Sequence, residues 1–219
     1  LLKKKIYLWG VWETNNYLGN FLRKLLVKFS YGTIFYSTSH LNFYSSIKSK
    51  KSILARNTLY VNRKITVQSY DVSIDKRDSF LFVGSLVKRK KIDLLINSWK
   101  YIIRNKEIKS NLKLRIIGDG AELNNLKNLV KLNDLNDSVI FLGNIDNENE
   151  LKKYYFKSFA SCCLGQSGLS IVQSLLFGVP FVCLKECHSG GEKENIINGE
   201  TGFLCKDSSE FTLRLKELS

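Results

Sequence analysis

From Asp71 to the end of the chain, short runs of β-branched and aromatic residues alternate with helical patterns. This alternation is typical of βαβ units, in which helices join parallel strands. The predicted strands are Phe80–Gly84, Lys113–Ile117, Ser138–Leu142, Phe159–Cys163, Pro180–Leu184 and Gly202–Leu204. The predicted helices lie near residues 92–104, 121–132, 148–157, 168–177, 191–198 and 208–217. The pattern predicts an α/β fold with a doubly wound sheet, which binds ligands at the carboxyl ends of its strands.

The first 71 residues alternate in the same way and predict half of a second Rossmann-like domain. The predicted strands are Lys5–Trp9 and Thr33–Tyr36, and the predicted helices lie near residues 17–29 and 39–48. A stretch rich in Ser, Lys and Asn between Ser46 and Asp78 favours a domain boundary there. We therefore predict a partial domain over residues 1–72 and a second domain over 73–219.

The helix near residues 17–29 is amphipathic. Its apolar residues fall on one face, and Arg23, Lys24 and Lys28 fall on the other. We predict that the apolar face packs into the core and the basic side is solvated, with a membrane-surface helix as the alternative. The apolar residues are Leu18, Phe21, Leu22, Leu25, Leu26 and Phe29.

Positive charge is concentrated in the first third of the chain. Residues 1–71 hold twelve Lys or Arg against Glu13 and Asp71, within a chain whose net charge is +14. The positive electrostatic potential of this region attracts phosphates on nucleic acid, on anionic lipid or on a pyrophosphate-linked carrier. Composition alone does not indicate which of these it binds. The sequence contains no recognised nucleic-acid motif, so we predict that nucleic acid is not a partner.

Composition also restricts the class of protein to which the chain can belong. A chain of 219 residues that is 44% hydrophobic can bury a core in one or two domains. Because no apolar run reaches the ~18–20 residues of a membrane-spanning helix and the opening LLKKKIYLWG is unlike a signal peptide, we expect a cytoplasmic protein. Methionine is absent even at position 1, so we expect the sequence to be a piece of a longer chain.

Five cysteines lack the regular spacing of a disulfide framework, which predicts reduced thiols. Cys183, Cys187 and His188, together with Cys205, form a candidate zinc site, but their position around a predicted buried strand favours structural thiols.

Three strand-to-helix loops have the composition to approach a phosphorylated ligand. In residues 84–91, GSLVKRKK, a glycine ends a strand and four cations follow. In residues 117–120, IGDG, the glycines permit close backbone approach, and Asp119 or Glu122 is a candidate helix cap. In residues 165–168, GQSG, free backbone N–H groups and the positive end of a helix dipole favour a diphosphate.

Each of these loops also has a purely structural interpretation, as a solvated charged loop or as an ordinary α/β turn. A fourth segment, residues 188–204, reads HSGGEKENIINGETGFL and places two glycines before a short acidic helix. Glu194 either caps that helix or faces the cleft.

Taken in order, these segments resemble the donor-binding domain of GT-B fold, group 1-type glycosyltransferases, which use nucleotide sugars and are mainly retaining. The resemblance covers residues 79–206, and residues 1–71 resemble the second half of the acceptor-side domain, ending in an ILARNTLYV crossover. The matching pieces are FVGSLVKRKKIDLLI, LRIIGDGAELNNL, VIFLGNI, GQSGLSIVQSLLFGVPFV and GGEKENIINGETGFL.

The resemblance implies roles for individual residues. Lys90 would neutralise the donor diphosphate. The family's phosphate-binding arginine is replaced by Ser85, and Arg89 is a candidate substitute. Backbone amides of Gly168, Leu169 and Ser170 would hold the phosphate oxygens, and Gly143, Asn144 and Ile145 would lie against the base. The remaining implied donor-binding residues are Gly118, Asp119 and Glu194.

Two positions depart from the family pattern. The family carries two glutamates around the helix that follows residue 168, and this chain has Gly165 and Gln173 there. The second glutamate typically binds the nucleotide ribose, which an amide can still do because it both donates and accepts hydrogen bonds. At the position of the first glutamate, Gly165 has only backbone groups with which to bind a ligand.

The implied function is transfer of a sugar from a nucleotide-sugar donor to a lipid-linked or saccharide acceptor. Branches that resemble this chain, with a GQxGLS turn, belong to surface-polysaccharide gene sets, so the implied pathway is O-antigen, capsule or similar synthesis. The resemblance also implies a hexosyltransferase that needs no metal or other cofactor, and the basic first third suggests peripheral contact with an anionic membrane at its inner face. The alternative is a catalytically decayed relative that keeps the nucleotide site.

Overall fold

The computed structural model of the protein describes residues 4–10, 16–47, 51–59, 76–105 and 111–219. The described residues divide into two units. The first unit runs up to Thr58 and includes Ser189–Glu194, and the second comprises Leu59–His188 and Asn195–Ser219. The predicted boundary between residues 72 and 73 lies outside the described residues.

The first unit contains a small parallel sheet. Strands β1 (Tyr7–Trp9), β2 (Gly32–Phe35) and β3 (Ile53–Leu54) pair in the order β1-β2-β3. Helix α1 (Tyr17–Phe29) connects β1 to β2, and α2 (Thr38–Phe43) follows β2. The partial Rossmann-like pattern predicted from the sequence is confirmed, although β3 was not among the predicted strands.

The second unit contains a sheet of six strands, each pairing in parallel with its neighbours. Their order is β6-β5-β4-β7-β8-β9, so β4 lies between β5 and β7 and the chain reverses direction across the sheet there. This order confirms the predicted doubly wound sheet and puts its topological switch point between β4 and β7. The strands are β4 (Ser79–Val83), β5 (Lys113–Ile117), β6 (Val139–Gly143), β7 (Ser158–Cys163), β8 (Phe181–Leu184) and β9 (Gly202–Cys205).

Helices connect these strands as predicted, with one exception. The helices are α3 (Ile92–Arg104), α4 (Leu123–Leu132), α5 (Glu148–Phe156), α6 (Leu169–Leu176) and α7 (Ser208–Leu218). The helix predicted near residues 191–198 is instead a short 3-10 turn over Glu192–Asn195. Gly191 and Gly199 bracket this turn with φ values of 119° and 85°, which α-helical residues do not adopt.

The core of the second unit is built on strands that are buried on both faces. All six residues of β7 are buried, as expected for a parallel strand covered by helices on either side. Trp99 of α3 is fully buried against Phe80 of β4, with ring centroids 6.0 Å apart, and its Nε1 donates to Ser138 Oγ. Burial of each such large side chain contributes about 1.5–3 kcal/mol to folding.

Helix α1 differs from its predicted packing. Its amino terminus is capped, because the Asn16 side chain accepts a hydrogen bond from Gly19 N–H. However, Val27 is the buried residue of this helix, whereas Leu18 is 65% exposed and Phe29 is 80% exposed. The prediction that the apolar face of α1 packs into the core is therefore wrong for the described residues.

Candidate functional site

Two loops meet at the switch point of the larger sheet. One follows β4 and contains a 3-10 turn over Lys88–Lys90, and the other follows β7 and leads into α6. Gln166 N–H donates to the Arg89 carbonyl at 2.8 Å, and Lys90 Nζ donates to the Gln166 carbonyl at 2.8 Å. These bonds hold the Lys90 ammonium at the carboxyl ends of the two strands, where its role was predicted.

Gly165 lies where the two loops are closest. A Cβ atom at this position would stand 2.4 Å from both the Arg89 oxygen and the Lys90 carbonyl carbon. Real Cβ atoms do not approach backbone this closely, so the position excludes any side chain while the loops keep this packing. A side chain at position 165, such as the glutamate that the resemblance implies, would therefore require the two loops to move apart.

The amino terminus of α6 is open. Gly168 occupies the N-cap position without a side-chain cap, and in the described ranges no acceptor bonds the N–H of Gly168, Leu169 or Ser170. These groups carry the positive end of the helix dipole, and the same loop's Gln166 carbonyl is bonded to the Lys90 ammonium. The arrangement can accept an anion through backbone N–H groups and a lysine.

The loop after β5 supports the loop after β4 through its glycines. Gly118 N–H donates to the Gly143 carbonyl at 2.7 Å, and a Cβ on Gly118 would lie 1.9 Å from the Gly84 oxygen. The Asp119 side chain hydrogen-bonds to the adjacent residue, since its Oδ1 accepts from Gly120 N–H at 2.6 Å. Glu122 occupies the N-cap of α4 but makes no side-chain capping bond, so the predicted caps are wrong.

Ser85 and Arg89 both lie on the exposed surface of the β4 loop. The exposed Asn144 donates through Nδ2 to Asp146 Oδ1 at 2.8 Å, in the loop that follows Gly143. Ile145 is half-buried and lines a cleft of about 350 Å³ together with Gln173.

Gln173 is half-buried on α6 and has a defined partner. Its Oε1 accepts from the Tyr155 hydroxyl at 3.1 Å, and Tyr155 is fully buried against Phe177 with ring centroids 4.9 Å apart. Burial raises the pKa of Tyr155 well above its ordinary value, so the hydroxyl keeps its proton. Gln173 and Gly165, which the resemblance places at the family glutamate pair, therefore have distinct surroundings.

Glu194 caps a helix other than the one predicted. Its carboxylate accepts from the N–H groups of Thr38 and Ser39 at 3.0 and 3.2 Å, at the start of α2 within the first unit. Partial burial raises the pKa of Glu194, but these backbone hydrogen bonds and the nearby Arg56 outweigh that effect and leave the pKa below its ordinary value. Its role in donor binding stays a prediction.

The cysteines are all free and buried, and their burial is what the prediction of structural thiols requires. Burial raises the pKa of Cys162, Cys163 and Cys205, to about 12 for Cys205, and a hydrogen bond with Cys187 together with burial raises the pKa of Cys183, so these groups are poor nucleophiles. Within the described ranges, no three His, Cys, Asp or Glu side chains are grouped so that they could hold a metal ion. None of the helices in those ranges combines the length and apolar character needed to cross a bilayer.

Two features of the site could not be found from the sequence alone. The Gln166 carbonyl that binds Lys90 is a backbone group and leaves no signal in the sequence. Tyr155 contacts Gln173 across 18 residues, and its helical pattern indicates only a buried position. Both contacts depend on how the elements pack.

Curated relatives match more than half of this chain. An uncharacterized glycosyltransferase of Haemophilus influenzae is 34% identical over 134 residues, which cover 60% of this chain and 36% of that protein. A Campylobacter jejuni N-acetylgalactosamine-N,N'-diacetylbacillosaminyl-diphospho-undecaprenol 4-alpha-N-acetylgalactosaminyltransferase is 29% identical over 75% of this chain and 43% of its own length. The chain thus spans about two fifths of the curated relatives it matches.

Solved structures agree on the fold. Staphylococcus aureus TarM, solved with fondaparinux, alpha-GlcNAc-glycerol and UDP, superposes with a TM-score of 0.73 at 15% identity, over 94% of this chain and 41% of TarM. The model of the family "Glycosyl transferases group 1" matches residues 68–218, which is more than half of the chain. With its parallel sheets and the match across its second unit, the chain belongs to the group 1 glycosyl transferases and has their GT-B fold.

Proposed function

We propose that the protein transfers a sugar from a nucleotide-sugar donor to a lipid-linked or saccharide acceptor in the assembly of a cell-surface polysaccharide. The observation that carries this proposal is the Lys90 ammonium beside the open amino terminus of α6, at the switch point of the sheet. The Campylobacter relative is named for its action on an undecaprenol-linked substrate, which supports the acceptor class.

The site supplies what a departing nucleoside diphosphate requires. As the bond between the sugar and the diphosphate breaks, negative charge develops on the leaving oxygen and must be stabilised. Lys90 supplies a positive charge, and the N–H groups of Gly168, Leu169 and Ser170 supply hydrogen-bond donors. These groups would stabilise the charge without a metal ion, which is consistent with a hexosyltransferase that has no metal cofactor.

The neighbouring loops would hold the rest of the donor. Arg89 would supply the second cation that Ser85 cannot, since its exposed guanidinium lies on the same loop as Lys90. The segment Gly143–Ile145 would lie against the base. Gly118 packs closely against the loop after β4, which would place Gly118 and Asp119 beside the diphosphate.

A nucleotide-binding relative without catalytic activity is the second candidate. The observation that favours it is the close packing at Gly165, which removes the first acid of the family pair. Sugar transfer from a nucleotide sugar by the purified protein, measured as release of the nucleoside diphosphate in the presence of acceptor lipid, would eliminate this candidate.

Calorimetric titration with UDP, GDP and ADP in EDTA tests the donor site directly. We expect one of the three to bind without metal and Lys90→Ala to weaken it by about tenfold or more, as for the loss of a charged hydrogen bond. Lys88→Ala is the matched control, because Lys88 is an exposed cation of the same 3-10 turn. Equal affinity in wild type and Lys90→Ala would remove Lys90 from the site.

We also propose that the protein contacts the anionic inner face of a membrane through α1. Its exposed apolar residues lie on the same short helix as Arg23, Lys24 and Lys28, within the most basic part of the chain. Helices with this distribution lie in the bilayer interface, where apolar burial and attraction to anionic lipid act together.

Co-sedimentation with vesicles of phosphatidylglycerol and phosphatidylcholine tests the membrane contact. We expect binding that weakens with added salt and is lost in Phe21→Ser combined with Leu22→Ser. Tyr101→Ser is the control, because Tyr101 is an exposed aromatic residue on α3 of the second unit. If wild-type protein fails to sediment with these vesicles, the exposed face of α1 has another partner.

A further inference from the structure

The small sheet of the first unit brings together two lysine-rich segments that lie far apart in the sequence. Lys5 ends the run KKK at 3–5, and Lys51 ends the run KSKK at 48–51. Because β1, β2 and β3 are parallel and pair in that order, the residues before them lie along one edge of the sheet. Tyr31, the residue before β2, therefore lies between the two lysines, at the edge opposite to the carboxyl ends of the strands.

Both ammonium groups converge on the side chain of Tyr31. Lys51 Nζ lies 4.2 Å from the centroid of the Tyr31 ring and Lys5 Nζ lies 5.0 Å from it, and Lys51 Nζ also donates to the hydroxyl oxygen. The hydrogen bond from Lys51, with a smaller contribution from Lys5, holds the pKa of Tyr31 below its ordinary value. The Tyr31 O–H, whose oxygen accepts from a lysine, still has its own proton to donate, and it is a stronger donor than an ordinary phenol.

The positive charge at this edge has no acidic counterpart in the part of the chain that the structure describes. Glu13 is the one acidic residue among residues 1–58, and it lies outside the described ranges. Within those ranges, neither Lys5 nor Lys51 forms an ion pair with a carboxylate. Two ammonium groups beside one ring repel each other, so an anion between them would lower the electrostatic energy of the arrangement.

The backbone and the rings around these groups are closely packed. Tyr31 N–H donates to the Ile6 carbonyl at 2.8 Å, and the Tyr7 ring packs edge-on against the Tyr31 ring with centroids 5.3 Å apart. A Cβ on Gly32 would stand 2.6 Å from the Tyr7 ring and 2.8 Å from the Lys51 oxygen, so glycine permits this close approach. A ligand would therefore have to order the lysine side chains but not the framework that carries them.

A phosphate group fits the three donors at this edge. Its terminal oxygens can accept from both ammonium groups and from the Tyr31 O–H at once, and its negative charge offsets the repulsion between Lys5 and Lys51. A neutral ligand would leave that repulsion in place.

We propose that Lys5, Tyr31 and Lys51 form a phosphate-binding site at the amino ends of the small sheet. The phosphate belongs either to a lipid headgroup or to a soluble phosphorylated compound, since both present the same oxygens to these donors. The inference goes beyond sugar transfer and uses none of the residues of the Lys90 site. It is also separate from the membrane contact proposed for α1, because all three residues lie outside that helix.

The first test follows the Tyr31 side chain by NMR in protein labelled with ¹³C at tyrosine Cζ, with Tyr31→Phe used to assign the resonance. We expect sodium phosphate to move this resonance with half-saturation at about 1–10 mM, as for a few exposed charged contacts, and sodium chloride of equal ionic strength not to do so. Lys5→Gln combined with Lys51→Gln should weaken the response at least tenfold. Lys152→Gln combined with Lys216→Gln is the matched control, because each of these lysines lies 5.1 Å from a ring centroid in the second unit.

The second test measures co-sedimentation with vesicles of phosphatidic acid and phosphatidylcholine. If the lipid headgroup is the source of the phosphate, the Lys5 and Lys51 double variant should lose binding and the control double variant should keep it. Tyr31→Phe should weaken this binding about threefold although it changes no net charge, which an effect of charge alone would not produce.

The outcomes separate the two sources of the phosphate. A response of the Tyr31 resonance to glycerol 3-phosphate, with vesicle binding independent of the two lysines, identifies a soluble compound. Vesicle binding that depends on both lysines and on the Tyr31 hydroxyl identifies a lipid headgroup. If the resonance responds to phosphate no more than to chloride and vesicle binding is unchanged in these variants, the site is overturned, and the proposed donor site is unaffected.

Discussion

The two units of the chain have the same parallel βα pattern but differ in how their apolar residues are used. In the second unit, strand β7 is buried throughout and Trp99 of α3 is fully covered. In the first unit, α1 has an apolar face of similar clarity, yet that face is largely exposed. An amphipathic pattern therefore identifies which side of a helix is apolar, but not whether protein, lipid or solvent covers it.

The largest expected difference between the units comes from removing a core aromatic residue. Trp99→Ala should lower the free energy of unfolding by about 3–5 kcal/mol, because it leaves a cavity beside Phe80. It should also leave the Ser138 hydroxyl without the indole N–H. Urea unfolding followed by circular dichroism measures the change. A loss below about 1 kcal/mol would mean that the second unit is packed as loosely around α3 as the first is around α1.

The next largest effect is expected where two loops of the second unit pack closely together. Gly165→Ala should lower the free energy of unfolding by about 3 kcal/mol, because the added Cβ overlaps the backbone of Arg89 and Lys90. Gly199→Ala is the control, since its Cβ meets nothing within 4 Å and only its φ of 85° is unfavourable, at about 1–2 kcal/mol. If the two variants are equally stable, the contact at Gly165 relaxes easily and an acid could be restored there.

A smaller effect is expected at the ion pair between Arg115 of β5 and Asp78, the residue before β4. Arg115 binds Asp78 through two hydrogen bonds of 2.5 and 2.9 Å, and they hold the pKa of Asp78 below its ordinary value of 3.8. The stabilisation is therefore present above pH 3.8 and is lost as the pH falls through the lowered folded-state pKa. Because Asp78 is about one third exposed, solvent screening limits the loss in Asp78→Asn to about 1 kcal/mol at neutral pH. Unfolding curves of both proteins between pH 7 and pH 2 should converge at the acid end.

The smallest effect is expected in the first unit. Phe21 is 52% exposed, so Phe21→Ala should change the free energy of unfolding by less than about 0.5 kcal/mol. The same urea experiment as for Trp99→Ala gives the comparison. A loss of several kcal/mol in the protein without lipid would mean that protein, and not a bilayer, covers this face of α1.

Local patterns were sufficient for most of the fold and insufficient for the contacts of the site. Lys113–Ile117 was predicted with the bounds observed, because polar and apolar residues alternate at its start and a Gly-Asp-Gly turn follows it directly. Strand β3 was missed because two residues in a Ser- and Lys-rich stretch show no periodicity. The helix predicted near 191–198 was wrong because the acidic, polar composition did not reveal how the bracketing glycines interrupt it.

Loop composition was enough to predict the position of some site residues. Predictions were wrong where the partner of a residue depends on tertiary contacts. Lys90 and the turn before α6 do meet, because the carboxyl ends of adjacent parallel strands share one edge. By contrast, Glu194 caps α2 more than 150 residues away in the sequence, and no local pattern predicts such a partner. The reason for glycine at position 165 is likewise a contact with a distant loop.

The hydrogen bond between Lys90 and the Gln166 carbonyl should make ligand binding both faster and tighter. A free lysine side chain loses about 1.5–2 kcal/mol of rotamer entropy when it is immobilised, and here the fold has already restricted that motion. A ligand arriving at the site would meet an ammonium in position and would not have to order it. Gln166→Pro cannot alter that carbonyl acceptor directly, but it removes the N–H that anchors it to Arg89. If Lys90 binds the donor as proposed, such a change should weaken binding through lost preorganisation, even though the Lys90 side chain itself is retained.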